Sequence, residues 1–285
     1  MKFSAIASLV AISVSAVSAF DKIIAHADSF TDNGNDYKHS KFPPSPPYWK
    51  GRFSNGPTWL EYVAKNLTHY NVSNNGYGGA TTDNADVYSE FNNWTVPGLK
   101  QQIETLKTNG TAESLYIIYI GYNDLNSIIN PDQYKVINKS YTYQKVAQNV
   151  ATGVKLLQSK YGAKDFLVLN CAPFYHWPVI QDSDKSKTKT LINNYNSQLE
   201  TDLKKIGGAN FNFLDDNSWF EEQIAHPEKL NLSTSNGACA VGIGNTTACN
   251  DPEEHFFFDY YHPEAKVHKA LGAWVLEKMH TLYQL

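Results

Sequence analysis

Two hydrophobic periods alternate along this chain. The run Lys22-Ile23-Ile24-Ala25-His26-Ala27 is short, mostly apolar, and breaks into a polar loop at 28–36, as a strand ending in a loop does. The segment 114–120 (Ser-Leu-Tyr-Ile-Ile-Tyr-Ile) is apolar on both faces, the mark of a strand buried inside a parallel sheet. Residues 166–169 repeat that pattern, and 210–214 form a weaker version of it. Between these runs lie helical spacings at 57–64, 97–107, 143–161 and 188–205. A last helix is predicted over 263–283, with Val267, Leu271, Trp274, Val275 and Met279 on one face. Pro57 and Pro263 suit the first turns of their helices, where the missing N–H costs nothing. The segment 73–82 reads as turn-rich.

Strands alternating with helices predict an α/β protein whose five-stranded parallel sheet is covered on both sides. In such a sheet, ligands bind beyond the C-terminal ends of the strands. No repeat, linker or second hydrophobic pattern divides the chain, so one domain is expected over 20–285.

The first 19 residues change the picture of where this domain works. Lys2 precedes an apolar run from Ala5 to Val17, and Val17-Ser18-Ala19 offers small residues to a signal peptidase. Residues 1–19 are therefore expected to be a secretory signal, and the mature protein to be extracellular, without stable membrane insertion. Seven Asn-x-Ser/Thr sequons follow, at Asn66, Asn71, Asn93, Asn109, Asn138, Asn231 and Asn245, and glycosylation is expected. Secretion also makes a disulfide between Cys239 and Cys249 the expected state, since they bracket a Gly- and Thr-rich loop. Cys171, after an apolar run, is expected to be a buried thiol. Net charge is −4 with no basic tract, which argues against nucleic acid as a partner. A monomer is expected.

The polar residues cluster at strand ends. Asp28-Ser29 follows the first strand, Asn123-Asp124 follows the central one, and Asp259 to His262 precede the last helix. A serine hydrolase needs a nucleophile, a base, a carboxylate to orient the base, and donors for the oxyanion. By residue type Ser29, His262, Asp259 and Asn123 fill these roles. The bland reading of Ser29 is a turn serine among solvated acids. Asp28, Asp32, Asn33, Asn35 and Asp36 lack the spacing of a calcium loop, and no metal site or cofactor is expected. Among the other histidines, His26 is placed inside the first strand and His268 on another face of the last helix. His176 sits in an aromatic loop, and Asp124 is expected to fix its turn.

Four stretches together resemble the blocks of the GDSL esterases, or SGNH hydrolases: Ala27 to Gly34, Gly78 to Thr82, Gly121 to Asp124 and Asp259 to Pro263. Gly51 to Pro57 also resembles a stretch common among plant and fungal members. The resemblance implies a flavodoxin-like three-layer α/β/α sandwich with five parallel strands. It implies Ser29 as nucleophile, His262 as base and Asp259 as its orienter, with an oxyanion hole from Ser29, Gly79 and Asn123. Gly78 is the alternative to Gly79. Ala27 stands where the family usually has Gly, which matters only if that position needs a positive φ. Secretion and the resemblance to fungal members suggest short-chain or acetyl esters, on plant polysaccharide fragments or another acylated carbohydrate. Tyr48, Trp49, Trp94, Trp177 and Trp219, near predicted loops, suit sugar stacking, ordinary packing or acyl-chain contact. The alternatives are a lipase, phospholipase or acyltransferase using longer acyl chains on a lipid substrate, or a non-catalytic carbohydrate-binding protein.

Overall fold

The computed structural model describes residues 20–105 and 109–285. The expected signal at 1–19 lies outside the described residues, as do Leu106 and Lys107 of the helix expected at 97–107.

Five parallel strands form the central sheet: β1 (Lys22–Ala27), β2 (Asn71–Gly76), β3 (Leu115–Tyr119), β4 (Asp165–Leu169) and β5 (Asn210–Leu214). Their spatial order is β2-β1-β3-β4-β5. The register runs from Lys22 opposite Asn71 to Ala27 opposite Gly76, and from Ile23 opposite Leu115 to Ala27 opposite Tyr119. β1 and β3 are buried along nearly their whole length, which is why they read as continuous apolar runs. β2 was not legible. Its sequence, Asn-Val-Ser-Asn-Asn-Gly, has one apolar residue, and from Ser73 on it runs into the stretch read as turn. It is an edge strand held by backbone pairing to β1, so it needs no alternating hydrophobic side chains.

Helices cover both faces. Helices α2 (Trp59–Asn66) and α8 (Ala265–Tyr283) pack together on one side, and α3 (Leu99–Thr105), α5 (Tyr143–Tyr161) and α6 (Lys185–Lys204) on the other. Reversal of winding after β2 puts the topological switch between β1 and β3, where right-handed crossovers leave a crevice. Shorter helices α1 (Asn35–Ser40), α4 (Tyr122–Ile129) and α7 (Asp216–Ala225) begin just past strand ends. A small parallel pair, β6 (Thr234–Ala238) and β7 (His255–Phe257), leads into the loop before α8.

Both prolines sit one or two residues earlier than expected relative to their helices. Thr58 caps α2 through a capping box with Glu61, leaving Pro57 outside. Glu264 caps α8, its carboxylate accepting from the Lys266 N–H, while Pro263 pairs with Phe257 in an isolated bridge. On α8 the side chains of Val267, Leu271, Val275 and Met279 are fully buried, as the 3.6-residue spacing predicts. Each contributes about 1.5–3 kcal/mol of apolar burial. Cys239 and Cys249 are joined as a disulfide, and Cys171 is free and buried. No helix among the described residues is long and apolar enough to cross a membrane.

Candidate active site

Ser29 sits two residues beyond the end of β1, in a turn closed by the Asp28 carbonyl, which accepts from the N–H groups of Thr31 and Asp32 (both 3.1 Å). The Asp28 carboxylate accepts from the Phe30 N–H (3.1 Å) and so holds the turn from inside. Thr31 is pinned from outside. Its hydroxyl accepts from the Trp59 indole (3.0 Å), and its carbonyl from the Asn74 amide (2.6 Å). Ala27 ends β1 in extended backbone, outside the positive-φ residues, so the methyl that replaces the usual glycine hydrogen carries no strain.

The second block is bolted at both ends. Asp32 accepts from the N–H groups of Gly34, Asn35 and Asp36 and, at 2.9 Å, from that of Gly78. This carboxylate organises the turn; burial pushes it up to about 6 against those four donors. Asp124 accepts from the Thr82 N–H and hydroxyl and from the Tyr141 hydroxyl, fixing its turn as expected. Between these bolts lie Gly79 and Ala80. The Gly78 N–H is spent on Asp32, whereas Gly79 lines the cavity beside Ser29 and its N–H has no partner among the described residues. That difference favours Gly79 over Gly78 as an oxyanion donor. Gly79 has φ +75°, and a Cβ there would lie 2.8 Å from the Ser89 Cβ, so no other residue fits.

Asn123 stands in the first turn of α4, immediately past β3. Its Nδ2 donates to the Ala80 carbonyl (2.9 Å), and its Oδ1 accepts from the Tyr134 hydroxyl (3.1 Å). One amide N–H is left to point elsewhere.

His262 and Asp259 lie in the tight loop after β7, closed by the Phe258 N–H donating to the His262 carbonyl (2.8 Å). The His262 Nδ1 contacts both Asp259 oxygens (2.8 and 2.9 Å). Asp259 is fully buried, and its Oδ1 also accepts from the N–H groups of Tyr261 (2.7 Å) and His262 (2.8 Å). With the proton on Nδ1 facing the carboxylate, Nε2 remains the acceptor. The stretch 51–57 explains itself here. Ser54 donates to the Pro263 carbonyl, Asn55 bridges the Ala265 N–H and the Glu264 carboxylate, and Phe53 packs on the His262 ring at 5.1 Å.

Ser29, Gly79, Asn123 and His262 all line one cavity of about 240 Å³. Its walls are Phe53, Phe91, Tyr122, Ile243 and Tyr261. Phe53, Tyr122 and Tyr261 lie within stretches that the sequence singles out, whereas Phe91 and Ile243 carry no such signal. The aromatic residues singled out for sugar stacking are elsewhere. Tyr48 is buried against Asp259, and Trp177 is fully buried, its indole donating to the Tyr261 carbonyl. Trp94 stacks on His39, Trp219 on Trp274, and Trp49 meets Lys50 and Arg52.

The remaining histidines do not enter the cavity. His176 pairs with Glu221 at 2.9 Å on the surface beyond β4. His26 is buried within β1, and burial holds it down at about 4. His268 lies on the buried side of α8, outside the residues that line the cavity. It is buried against Phe30, with neither ring nitrogen bonded among the described residues, and burial holds it down at about 3. Burial pushes the Cys171 thiol well above its ordinary range, as an inert thiol requires. One group of possible metal ligands, Cys249, Asp251 and His255, offers no thiolate because Cys249 is in the disulfide.

Similar proteins agree with this arrangement. The thermolabile hemolysin of Vibrio parahaemolyticus is 24% identical over 284 residues, covering 92% of this chain; the chain spans 64% of that protein's length. The phosphatidylcholine-sterol acyltransferase of Aeromonas hydrophila is 24% identical over 257 residues, covering 84% of this chain and 72% of its own. The acetylxylan esterase Axe2 of Geobacillus stearothermophilus shares the fold with a TM-score of 0.55 at 14% identity, covering 91% of this chain and 94% of its own. The model of the GDSL-like lipase/acylhydrolase family matches residues 28–275, most of the chain, and the chain belongs to that family of carboxylic ester hydrolases.

Proposed function

We propose that the protein hydrolyses esters of medium-length acyl chains, lipid esters among them, through an acyl-enzyme on Ser29. The carrying observation is the apolar cavity beside Ser29. At about 240 Å³ it has room for an acyl group longer than acetyl. Sugar hydroxyls require convergent polar partners, and those at the cavity are largely occupied. Ser89 donates to the Gly79 carbonyl, Gln133 accepts from Tyr261, and Tyr134 donates to Asn123. This moves the reading from acetylated carbohydrate toward lipid, in keeping with the name of one relative, the phosphatidylcholine-sterol acyltransferase.

In this mechanism His262 Nε2 takes the proton from Ser29 Oγ as that oxygen attacks the ester carbonyl carbon. The oxyanion is held by the N–H groups of Ser29 and Gly79 and by the Asn123 amide. His262 then protonates the departing alcohol oxygen, and water repeats the sequence to release the acid. Asp259 keeps the imidazole in the required tautomer. Transfer of the acyl group to an alcohol is the second reading, supported by the likeness to an acyltransferase.

Rates on p-nitrophenyl esters from C2 to C16 test the proposal. The expected optimum lies near C8, with activity abolished by Ser29→Ala; an optimum at C2 would return the case to acetyl esters. Added glycerol or sterol, with ester product assayed, reads out transfer. We also propose that the chain is secreted and glycosylated, given residues 1–19 and the sequons, of which Asn66, Asn71, Asn93, Asn109 and Asn231 are exposed. Protein recovered from the medium should begin at Phe20 and lose mass on treatment with peptide-N-glycosidase; an intact Met1 and an unchanged mass would overturn this.

A further inference from the structure

Tyr48 lies 211 residues from Asp259 in sequence, yet its buried hydroxyl donates to Asp259 Oδ2 at 2.7 Å. The tyrosine oxygen in turn accepts from the Gly244 N–H at 2.9 Å. Gly244 belongs to the loop closed by the Cys239–Cys249 disulfide, which is held to the His262 loop at several points. The N–H of Ala240 donates to the Phe258 carbonyl (2.7 Å) and that of Cys239 to the Phe257 carbonyl (3.2 Å). Tyr48, Phe258 and Cys239 form a separate small apolar cluster, with the Tyr48 ring edge-on to Phe258 at 5.0 Å. One residue before Gly244, Ile243 forms part of the cavity wall.

From this geometry we propose that Tyr48 is a positioning residue for the Asp259–His262 pair, and that the disulfide-closed loop holds Tyr48 in place through Gly244. Among the described residues Asp259 Oδ2 receives the His262 ring and the Tyr48 hydroxyl, while Oδ1 takes the two backbone donors. The backbone bonds hold Oδ1, and the tyrosine, the second donor on Oδ2, sets how much of that oxygen's charge faces the imidazole. A loop that both walls the acyl cavity and braces the carboxylate ties substrate fit to the orientation of the base. This inference rests on the roles proposed for Asp259 and His262, though not on the acyl length.

The sign of the effect follows from charge. Without the Tyr48 hydroxyl, more negative charge faces Nδ1–H, so the imidazolium is favoured and His262 keeps its proton to higher pH. The other titratable groups around the pair do not obscure this. His268 is held neutral by burial, and burial raises the hydroxyls of Tyr122 and Tyr261. Asp28, raised by burial to about 7, bonds the Phe30 N–H in the Ser29 turn and makes no bond to Tyr48, so its titration is common to variant and parent.

The test uses p-nitrophenyl acetate, which turns over whether or not the medium-chain reading holds. Tyr48→Phe keeps the ring on Phe258 and removes only the hydroxyl. The expected result is kcat lower by about tenfold, the rate equivalent of one net hydrogen bond, with KM within about twofold. The acid limb of kcat/KM should move up by roughly half a pH unit. The double variant Cys239→Ala/Cys249→Ala should move the limb the same way by a smaller amount. Unchanged rate and limb in Tyr48→Phe, or a lost rate with the limb in place, overturns the proposal. If Tyr48→Phe does not fold, the cysteine variant decides the question by itself, and a stationary limb there overturns the proposal. A C2 optimum in the ester series, with the limb shifted, would refute the medium-chain reading alone.

Discussion

Asn123 commits its side chain in two directions before any substrate arrives. Tyr134 holds the amide oxygen and the Ala80 carbonyl holds one N–H, so the second N–H is aimed without the entropy cost of finding its orientation. This is the preorganisation that makes an oxyanion donor effective, because no dipole has to turn as charge develops. Asn123→Ala should lower kcat on p-nitrophenyl acetate by roughly 100- to 1,000-fold, with KM changed little. A loss of less than tenfold would remove Asn123 from the oxyanion hole. Residue identity at these positions is legible because the chemistry demands particular side chains. Partners are not. Tyr134 and Tyr48 carry no local signal, since what distinguishes them is the contact each makes once the chain has folded.

At the scale of elements, the site is a set of loops bolted to strand ends by buried carboxylates and amides. The Asp32–Gly78 and Asp124–Thr82 bonds hold the glycine loop between the first and third blocks, and Ser54 and Asn55 hold the start of α8. The 51–57 stretch is thus a clamp for the histidine loop, which its residue types alone do not announce. The disulfide loop supplies the most open part of the wall, where Ile243 is 38% exposed. Ile243→Trp should fill the cavity and move the ester optimum to shorter chains, while leaving turnover of the acetyl ester within about threefold. An unchanged chain-length profile would mean that the acyl group lies elsewhere.

For the whole molecule, the sheet order β2-β1-β3-β4-β5 gathers Ser29, Gly79 and Asn123 at the C-terminal ends of β1, β2 and β3, beside the switch of winding. Burying so many carboxylates has a cost that depends on pH. Asp216, at the head of α7, accepts from the Tyr119 hydroxyl and is pushed by burial from 3.8 up to about 8. A carboxyl raised in the folded state favours that state while protonated. Its contribution is therefore present at low pH and lost as pH climbs from about 4 through about 8. Asp216→Asn keeps an acceptor for Tyr119 and removes the titration. The variant should gain on the parent in melting temperature across that window, most at its alkaline end, as followed by circular dichroism. Parallel curves would show that Asp216 does not titrate there.

Period and residue type were enough to find β1, β3, β4, the long helices and the candidate side chains for the chemistry proposed. Burial repeats along a local stretch with the period of its secondary structure, and reactive roles admit few residue types. The tertiary structure alone decided the rest. It made β2 a strand through backbone pairing that leaves no mark on side-chain pattern. It occupied the Gly78 N–H with Asp32 and left that of Gly79 without a partner among the described residues. It turned His268 inward, removed the sugar-stacking candidates from the cavity, and brought Tyr48 to Asp259. Each of these depends on contacts between residues far apart in sequence, whose distances are set only when the sheet and its loops close.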